Sequence, residues 1–287
     1  MKILAIDTSG PNCNVAVLEE DMEHTMLRYN TDVDHNNSKP VEAHSVRHDG
    51  AASEQHMTHD AFHHNADNIV EAHSVRQGKV IANFTINIGK THSETLLPLV
   101  DELLKFSNIS LNDIDAFACC VGPGSFTGIR IGIATMKGFA LSLNKPTISV
   151  STLEGLAYNV PTFDGLVCSI LDAKNNNVYS ALYKLDTAPQ MIGDYLTNSI
   201  DSLIEEIKKH DEKVLFVGDG AISYHDMLQN ELNERAFFAP YYFNGQSAVS
   251  IAKAAFDKLN QYGINYSDEL HPLYLRKSQA ERMLEET

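Results

Sequence analysis

Positive charge is scarce in this sequence. Its 22 lysines and arginines stand against 38 aspartates and glutamates, which gives a formal net charge of −16 over 287 residues. A protein that binds nucleic acid unaided needs clustered Lys and Arg to neutralise phosphates. The charge balance therefore argues against a stand-alone nucleic-acid-binding protein and leaves any RNA contact to a local patch or to a partner.

Cysteine and long apolar runs are scarce as well. The four cysteines lie among apolar neighbours without disulfide or metal-site spacing, and we interpret them as buried small hydrophobes in a reducing compartment: Cys13, Cys119, Cys120 and Cys168. The opening apolar run ends at Asp7, too early for a signal peptide. No stretch approaches the roughly 20 apolar residues that span a bilayer. We expect a cytoplasmic protein without membrane contact.

The order of strand and helix patterns predicts an α/β fold of two related lobes. "KILAID", "TSGPN" and "CNVAVLEE" give a strand, a turn and a strand, and "GLVCSILDAKNNNVYSALYKL" repeats that order with Asp172 placed like Asp7. Elsewhere strands alternate with amphipathic helices, which favours two mixed sheets flanked by helices. Pro161 marks the expected joint, with the first lobe in residues 1–160 and the second lobe and tail in 161–287.

A polar segment at residues 21–78 interrupts the first lobe. It has no cysteine, holds nine of the 13 histidines, and contains "VEAHSVR" twice, at 41–47 and 70–76. This letter-for-letter repeat indicates either a recent duplication or an engineered graft. Because successive hairpin turns lie at opposite ends of a sheet, the segment should leave from the end opposite "TSGPN".

The histidines of this segment include two pairs with i, i+4 spacing. His44 with His48, and His59 with His63, would share a helix face, as metal ligands can. No cysteine or flanking strand supports such a site, so we favour the alternative of a solvated histidine-rich surface.

The run "THSETLLPLVDELLKFSN" predicts a helix in the first lobe. Thr91 is the expected N-cap, and Glu94 three residues later would complete a capping box. The apolar stripe of this helix is expected at Leu97, Val100, Leu103 and Leu104.

A glycine-rich loop joins a buried strand to a long helix in "CCVGPGSFTGIRIGIATMKGFALSLN", residues 119–144. Such a loop can present backbone N–H groups to an anion at a helix N-terminus, helped here by the Ser125 and Thr127 hydroxyls. Its spacing fits neither the dinucleotide fingerprint nor a Walker loop. The alternative is that the glycines allow a tight turn and close helix packing.

The end of the first strand offers a second group of candidate nucleotide contacts. A carboxylate and two hydroxyls after a buried strand suit a phosphate or Mg²⁺, and the alternative is a turn that bonds its own backbone. Asp172 has the same two interpretations in the second lobe, and Asp219 lies between two glycines. The candidate cleft residues are Asp7, Thr8, Ser9, Gly122, Gly124 and Ser125.

Seven motifs are spread along nearly the whole chain outside the insertion: "ILAIDTS", "HSETLLPLV", "GPGSFTGIRIG", "STLEGLA", "DAKNNNVYSALY", "VGDGA" and "PLYLRKSQAE". As an ordered set they resemble the TsaB family, formerly YeaZ, of the bacterial tRNA threonylcarbamoyladenosine (t6A) pathway. The resemblance implies the actin-like, Hsp70-like ATPase (ASKHA) fold, with two lobes of one topology.

The resemblance also implies a pseudo-enzyme. TsaB is a paralogue of the catalytic subunit TsaD, in which a His-x-x-x-His metal pair follows the strand after the glycine-loop helix. Thr152 and Leu156 stand at the corresponding positions here, and threonine is a weak metal ligand and leucine none. This implies a non-catalytic subunit without metal or cofactor and with at most weak nucleotide binding. The alternative is an ATP-binding enzyme of the same fold: a small-molecule kinase, an ATPase or a glycoprotease-like metalloenzyme.

The partners are implied by the same resemblance. The chain would pair with TsaD, and the complex would recruit the ATPase TsaE and transfer threonylcarbamoyl from the adenylate made by TsaC to adenosine 37 of tRNA. The tRNA would thus meet this chain indirectly, and a homodimer is the alternative for the isolated protein. The partner surface is expected on two first-lobe helices, unless these residues face their own sheet: His92, Leu96, Leu99, Leu103, Gly128, Gly132 and Gly138.

Overall fold

The computed structural model describes residues 1–20, 78–263, 266–267 and 269–275. Both copies of the repeat and the two histidine pairs of the insertion lie outside these described residues. Within the described ranges, no helix is long and apolar enough to cross a membrane.

Five strands form the first sheet, in the order β3-β2-β1-β4-β5. β1 pairs antiparallel with β2, which pairs antiparallel with β3, whereas β4 and β5 run parallel to β1. Both faces of β1 are buried, so its sequence is a nearly continuous apolar run rather than an alternating one. The strands are β1 (Lys2–Asp7), β2 (Cys13–Glu20), β3 (Gly78–Ile86), β4 (Ala116–Cys120) and β5 (Thr147–Val150).

Helices cover both faces of the first sheet. α1 (His92–Ser107) and α2 (Phe126–Leu143) pack side by side on the face that carries Leu4 and Ile6 of β1. The opposite face is covered by α7 (Ala248–Tyr262), which comes from the second half of the sequence.

The predicted apolar stripe of α1 is wrong at one position. Leu97 is 53% exposed, whereas the preceding Leu96 is 1% exposed and belongs to the first-lobe core. Successive helical residues differ by about 100° around the axis, so the buried positions 96, 100, 103 and 104 share one face. The predicted cap at Thr91 is present, because the Glu94 carboxylate accepts hydrogen bonds from the Thr91 N–H at 3.1 Å and hydroxyl at 2.7 Å.

The second sheet repeats the topology of the first. Its order is β10-β9-β6-β7-β8, with β6 and β7 forming the antiparallel hairpin that corresponds to β1 and β2. This repetition confirms the predicted α/β fold with two related lobes and mixed sheets. The strands are β6 (Leu166–Asp172), β7 (Asn177–Leu185), β8 (Pro189–Ser199), β9 (Val214–Val217) and β10 (Ala236–Phe238).

Four shorter helices surround the second sheet: α3 (Thr152–Ala157), α4 (Ile200–Lys208), α5 (Asp219–Ser223) and α6 (His225–Leu232). The strands of the two sheets fall on either side of Pro161. However, α3, which precedes this proline, packs on the second sheet, and α7, which follows it, packs on the first.

The insertion leaves and re-enters at the end of one hairpin. Glu20 of β2 is paired with Gly78 of β3, at the sheet end where Lys2 begins β1. Asp7 and the turn that follows it lie at the other end of β1. The predicted exit opposite the "TSGPN" turn is therefore confirmed.

This geometry predicts that the insertion can be removed. Replacing residues 21–77 by Asn-Gly would join the paired ends with a two-residue hairpin turn. We expect cooperative urea unfolding with equal or higher stability, because each halving of a loop lowers its closure cost by roughly 0.6 kcal/mol. A shortened protein that is clearly less stable than the full chain would show that the insertion supports the sheet.

Candidate functional site

A cleft of about 740 Å³ lies between the two lobes. Ser9, Gly124 and Ser125 of the predicted nucleotide residues line it from the first lobe. Asp172 and Asp219 face them from the second lobe. Three further predicted residues are not among its lining: Asp7, Thr8 and Gly122.

The turn after β1 satisfies its own polar groups. Asp7 is 1% exposed, and its Oδ1 accepts hydrogen bonds from the Ser9 N–H at 2.9 Å and the Ser9 hydroxyl at 2.7 Å. The Thr8 hydroxyl donates to the Gly128 carbonyl at 2.8 Å and so ties the turn to α2. The Asp7 carboxylate is thus held inside the protein and away from a ligand in the cleft.

The glycine loop packs directly against this turn. The Ser125 N–H donates to the Ser9 carbonyl at 2.7 Å, and the Gly128 N–H donates to the Ser125 hydroxyl at 3.2 Å. A Cβ added at Gly124 would lie 2.3 Å from the Ser9 carbonyl oxygen, and one at Gly128 would lie 2.1 Å from that of Thr8. These two glycines are therefore required for close packing, and two N–H groups that an anion would need are already bonded.

Burial raises the pKa of Asp7, and the hydrogen bonds from Ser9 oppose that rise only in part. In the unfolded chain the Asp7 carboxyl has its ordinary pKa of 3.8. Just above pH 3.8 the folded state therefore binds more protons than the unfolded state. The contribution of Asp7 to the free energy of unfolding is then greatest at low pH. It decreases as the pH rises through the pKa that Asp7 has in the folded protein.

The Asp7→Asn variant tests this titration, because asparagine keeps an oxygen acceptor for Ser9 but has no proton to lose. We expect the stability of the variant relative to the wild type to increase as the pH is raised from about 4 to about 8. The measurement is urea unfolding of both proteins across that range. A difference independent of pH, or one that falls, would contradict the raised pKa.

Thr152 and Leu156, the two positions at which the resemblance implies a lost metal pair, are both buried. Thr152 is buried, and its hydroxyl donates to the Pro123 carbonyl at 2.7 Å and lies 3.0 Å from the Cys120 sulfur. Leu156 is buried in the core between α3 and the second sheet. Among the described residues, no group of three or more His, Cys, Asp and Glu is arranged to hold a metal ion.

On the second-lobe side of the cleft, the carboxylate of Asp172 is paired with the ammonium of Lys174. The Asp172 carboxylate accepts from the Lys174 N–H at 2.8 Å and forms an ion pair with the Lys174 ammonium at 2.5 Å. The Asp172 N–H donates to the Asp219 carboxylate at 3.0 Å. Partial burial would raise the pKa of Asp172, but the contacts with Lys174 outweigh it and lower that pKa.

Most residues predicted for the partner surface face inward, which corrects that prediction. Leu96 and Leu103 are buried in the first-lobe core, and Leu99 is half-buried against it. Gly128 and Gly132 contact the turn after β1, since a Cβ at Gly132 would lie 2.5 Å from the Thr8 hydroxyl. The inward side of each helix packs on the sheet, so the four buried residues Leu96, Leu103, Gly128 and Gly132 are not accessible to a partner.

Two further members of that predicted set differ from the rest. His92 lines the cleft, with its Nε2 2.9 Å from the Gly10 carbonyl oxygen. Gly138 faces open space, because a Cβ added there would meet nothing within 4 Å. Of the seven predicted residues, Gly138 is therefore the one that leaves room on the outer side of α2.

The outer side of α1 and α2 carries exposed apolar residues that the sequence reasoning did not select. Leu141 of α2 is 83% exposed, and Phe106 of α1 is 79% exposed. On α2, Leu141 lies on the same side of the helix as Ala134 and Gly138, and we call these three residues the outer helix face. Its signal in the sequence was the spacing of 134, 138 and 141, which places small and apolar residues on one side of a helix.

The repeated topology and the cleft between the lobes define the class of protein, a two-lobed member of the ASKHA fold. Over residues 79–284 the chain matches the model of the TsaD family, tRNA N6-adenosine threonylcarbamoyltransferase. It is 35% identical over 164 residues to the tRNA threonylcarbamoyladenosine biosynthesis protein TsaB of Bacillus subtilis, a match that covers 56% of this chain and 71% of that relative. The chain thus belongs to the family described by the TsaD model and, within it, to the TsaB family.

Two further comparisons agree with this assignment. TsaB of Haemophilus influenzae is 27% identical over 197 residues, which cover 65% of this chain and 80% of the relative. The structure of YeaZ from Pseudomonas aeruginosa matches with a TM-score of 0.64 and 20% identity, covering 96% of this chain and 99% of that one. At this identity the structural match supports the fold.

Proposed function

We propose that this chain is a non-catalytic subunit of the bacterial t6A synthesis complex, in which it scaffolds the catalytic paralogue TsaD. The observation that carries the proposal is the closed metal-pair position. A buried threonine hydroxyl already bonded to Pro123 and a core leucine leave no ligands for a catalytic ion there. The similarity to TsaB proteins, whose name places them in threonylcarbamoyladenosine biosynthesis, supports the pathway.

The TsaD-like partner would bind the outer helix face. The exposed apolar side chain of Leu141 favours association, because burying it removes apolar surface from water. Gly138 and Ala134 leave the backbone of α2 accessible to close approach by another helix. In the absence of TsaD, the same face would support a homodimer.

The remaining partners would join through the complex. With a net charge of −16 the chain repels RNA phosphates, so tRNA would be held by TsaD rather than by this subunit. A TsaE-like ATPase would bind the assembled pair. Nucleotide binding by this chain alone would be weak, because two N–H donors of the glycine loop are bonded within the protein.

Reconstitution of tRNA modification tests the proposal. TsaD, TsaE, the threonylcarbamoyl adenylate and tRNA should give modified tRNA only when this chain is added. The chain alone, with ATP and Mg²⁺, should neither hydrolyse ATP nor modify tRNA. Turnover of ATP by the purified chain would favour an enzyme of the same fold, and full activity without the chain would refute the scaffold.

A further inference from the structure

One cation on α2 is held in place by aromatic side chains. The rings of Phe126 and Tyr274 stack with centroids 4.5 Å apart and planes 7° from parallel. The Arg130 Nε donates to the Tyr274 hydroxyl at 2.6 Å. The guanidinium carbon lies 5.7 Å from the Phe126 centroid and 5.5 Å from the Tyr274 centroid, so it lies beside the stacked pair rather than beyond one ring.

Tyr274 is itself fixed by the C-terminal segment that carries it. The Leu273 N–H donates to the Val121 carbonyl at 2.8 Å, next to the glycine loop. Leu270 is fully buried in the first-lobe core. Since the backbone before Tyr274 is anchored at two points, the orientation of the Arg130 guanidinium is set before any partner binds.

Arg130 lies at one end of the outer helix face. It is exposed, and Ala134, Gly138 and Leu141 follow it at i+4, i+8 and i+11 on the same side of α2. A charged residue at the edge of an apolar patch is the usual arrangement of a protein interface, and arginine is enriched among the residues that dominate binding.

Arg130 differs from the neighbouring cation on α1 in its ion pairing. Within the described ranges, no carboxylate lies within ion-pair distance of its guanidinium. Lys105 on α1, by contrast, already pairs with Asp101 at 2.5 Å and Glu102 at 3.3 Å. The two Nη groups of Arg130 therefore remain available as parallel donors, which match the two oxygens of a carboxylate.

We propose that Arg130 recognises a carboxylate side chain of the TsaD-like partner and that Tyr274 is a positioning residue for it. The inference rests on the proposed function and adds a specific ionic contact to the partner surface. The chain carries a net charge of −16, which disfavours RNA phosphates, so a protein carboxylate is favoured over the tRNA backbone.

Binding of purified variants to purified TsaD at several salt concentrations tests the inference. Arg130→Gln should weaken the affinity about tenfold at low salt, and the loss should shrink as salt screens the pair. Arg130→Lys should recover little of the lost affinity for TsaD, because lysine lacks the paired donors that match a carboxylate. Tyr274→Phe keeps the stack but loses the hydroxyl acceptor, and should weaken binding about threefold.

Lys213→Gln is the matched control. Lys213 is an exposed second-lobe cation whose Nζ lies 5.8 Å from the Phe237 ring, and its loss should leave TsaD binding unchanged. Arg130→Gln binding within twofold of wild type at every salt concentration would overturn the inference. Unchanged TsaD binding with weaker tRNA binding by the Arg130→Gln complex would also overturn it, in favour of a phosphate contact.

This inference can fail while the proposed function holds. If Leu141→Asp abolishes the complex while Arg130→Gln does not weaken it, the outer helix face is supported as the interface and the carboxylate contact is refuted. If wild-type protein does not bind TsaD, both fall together.

Discussion

Leu141→Asp should abolish the complex with the TsaD-like paralogue and, with it, tRNA modification in the reconstituted system. Leu141 is 83% exposed on α2, so an aspartate there is solvated in the free subunit and the fold should persist. In the complex the carboxylate would be buried among apolar groups, and an unpaired buried charge costs about 3 to 5 kcal/mol. That cost corresponds to a loss of affinity of about a hundredfold or more.

Met191→Asp is the matched control for this experiment. Met191 is also an exposed apolar residue, but it lies on β8 at the edge of the second sheet. We expect it to bind TsaD like the wild type, and both variants to show wild-type urea unfolding. A Leu141→Asp protein that folds and still binds TsaD with wild-type affinity would place the interface elsewhere. Charged substitutions at Leu96 or Gly132 would test folding instead, because both residues face the core.

Alanine at two glycines of α2 should change stability in opposite directions. At Gly128 the new Cβ would lie 2.1 Å from the Thr8 carbonyl oxygen, a backbone atom that cannot move without shifting the turn after β1. We expect Gly128→Ala to destabilise the protein by about 3 kcal/mol, the upper range for overpacking a well-packed site.

Gly138→Ala, in the same helix, supplies the control for helix propensity. Its Cβ would meet nothing within 4 Å, so alanine should stabilise the protein by roughly 1 kcal/mol through its better helix propensity. Urea unfolding of both variants against the wild type provides the measurement. Equal responses at the two sites would mean that the glycine loop is not pressed against the turn, and would reopen the interpretation of the loop as a phosphate cradle.

Local signals in the sequence predicted much of the fold. The apolar run of β2, the capping box at Thr91 and Glu94, and the repeated hairpin each depend on neighbouring residues. They sufficed to predict two related lobes. Three elements were not predicted: β8, β10 and α6. Of these, β10 spans only three residues and α6 has a weak apolar pattern.

The side of each helix that faces the sheet was harder to predict. Leu96 and Leu97 are chemically identical neighbours, and burial of the first depends on how α1 is rotated against the sheet. Gly128 and Gly138 likewise look alike in the sequence, yet one contacts the turn after β1 and the other faces open space.

The site features depend on contacts between distant parts of the chain. The hydrogen bond between Arg130 and Tyr274 joins residues 144 positions apart. Nothing local to "GPGSFTGIRIG" indicates which C-terminal side chain will pack on it. Similarly, the Ser9 carbonyl that accepts from the Ser125 N–H belongs to the first hairpin, so the packing role of the glycines appears only in the folded protein.

The position of α7 has a consequence for the order of folding during synthesis. Ile3, Ala5 and Ala118 lie on the sheet face that this helix covers with Ile251 and Phe256. In a nascent chain, one face of the first sheet therefore stays uncovered until residues 248–262 have left the ribosome. A truncated polypeptide that ends before α7 would expose this apolar face to solvent and be prone to aggregation, so the two lobes cannot be produced as independent fragments by cutting the chain between them.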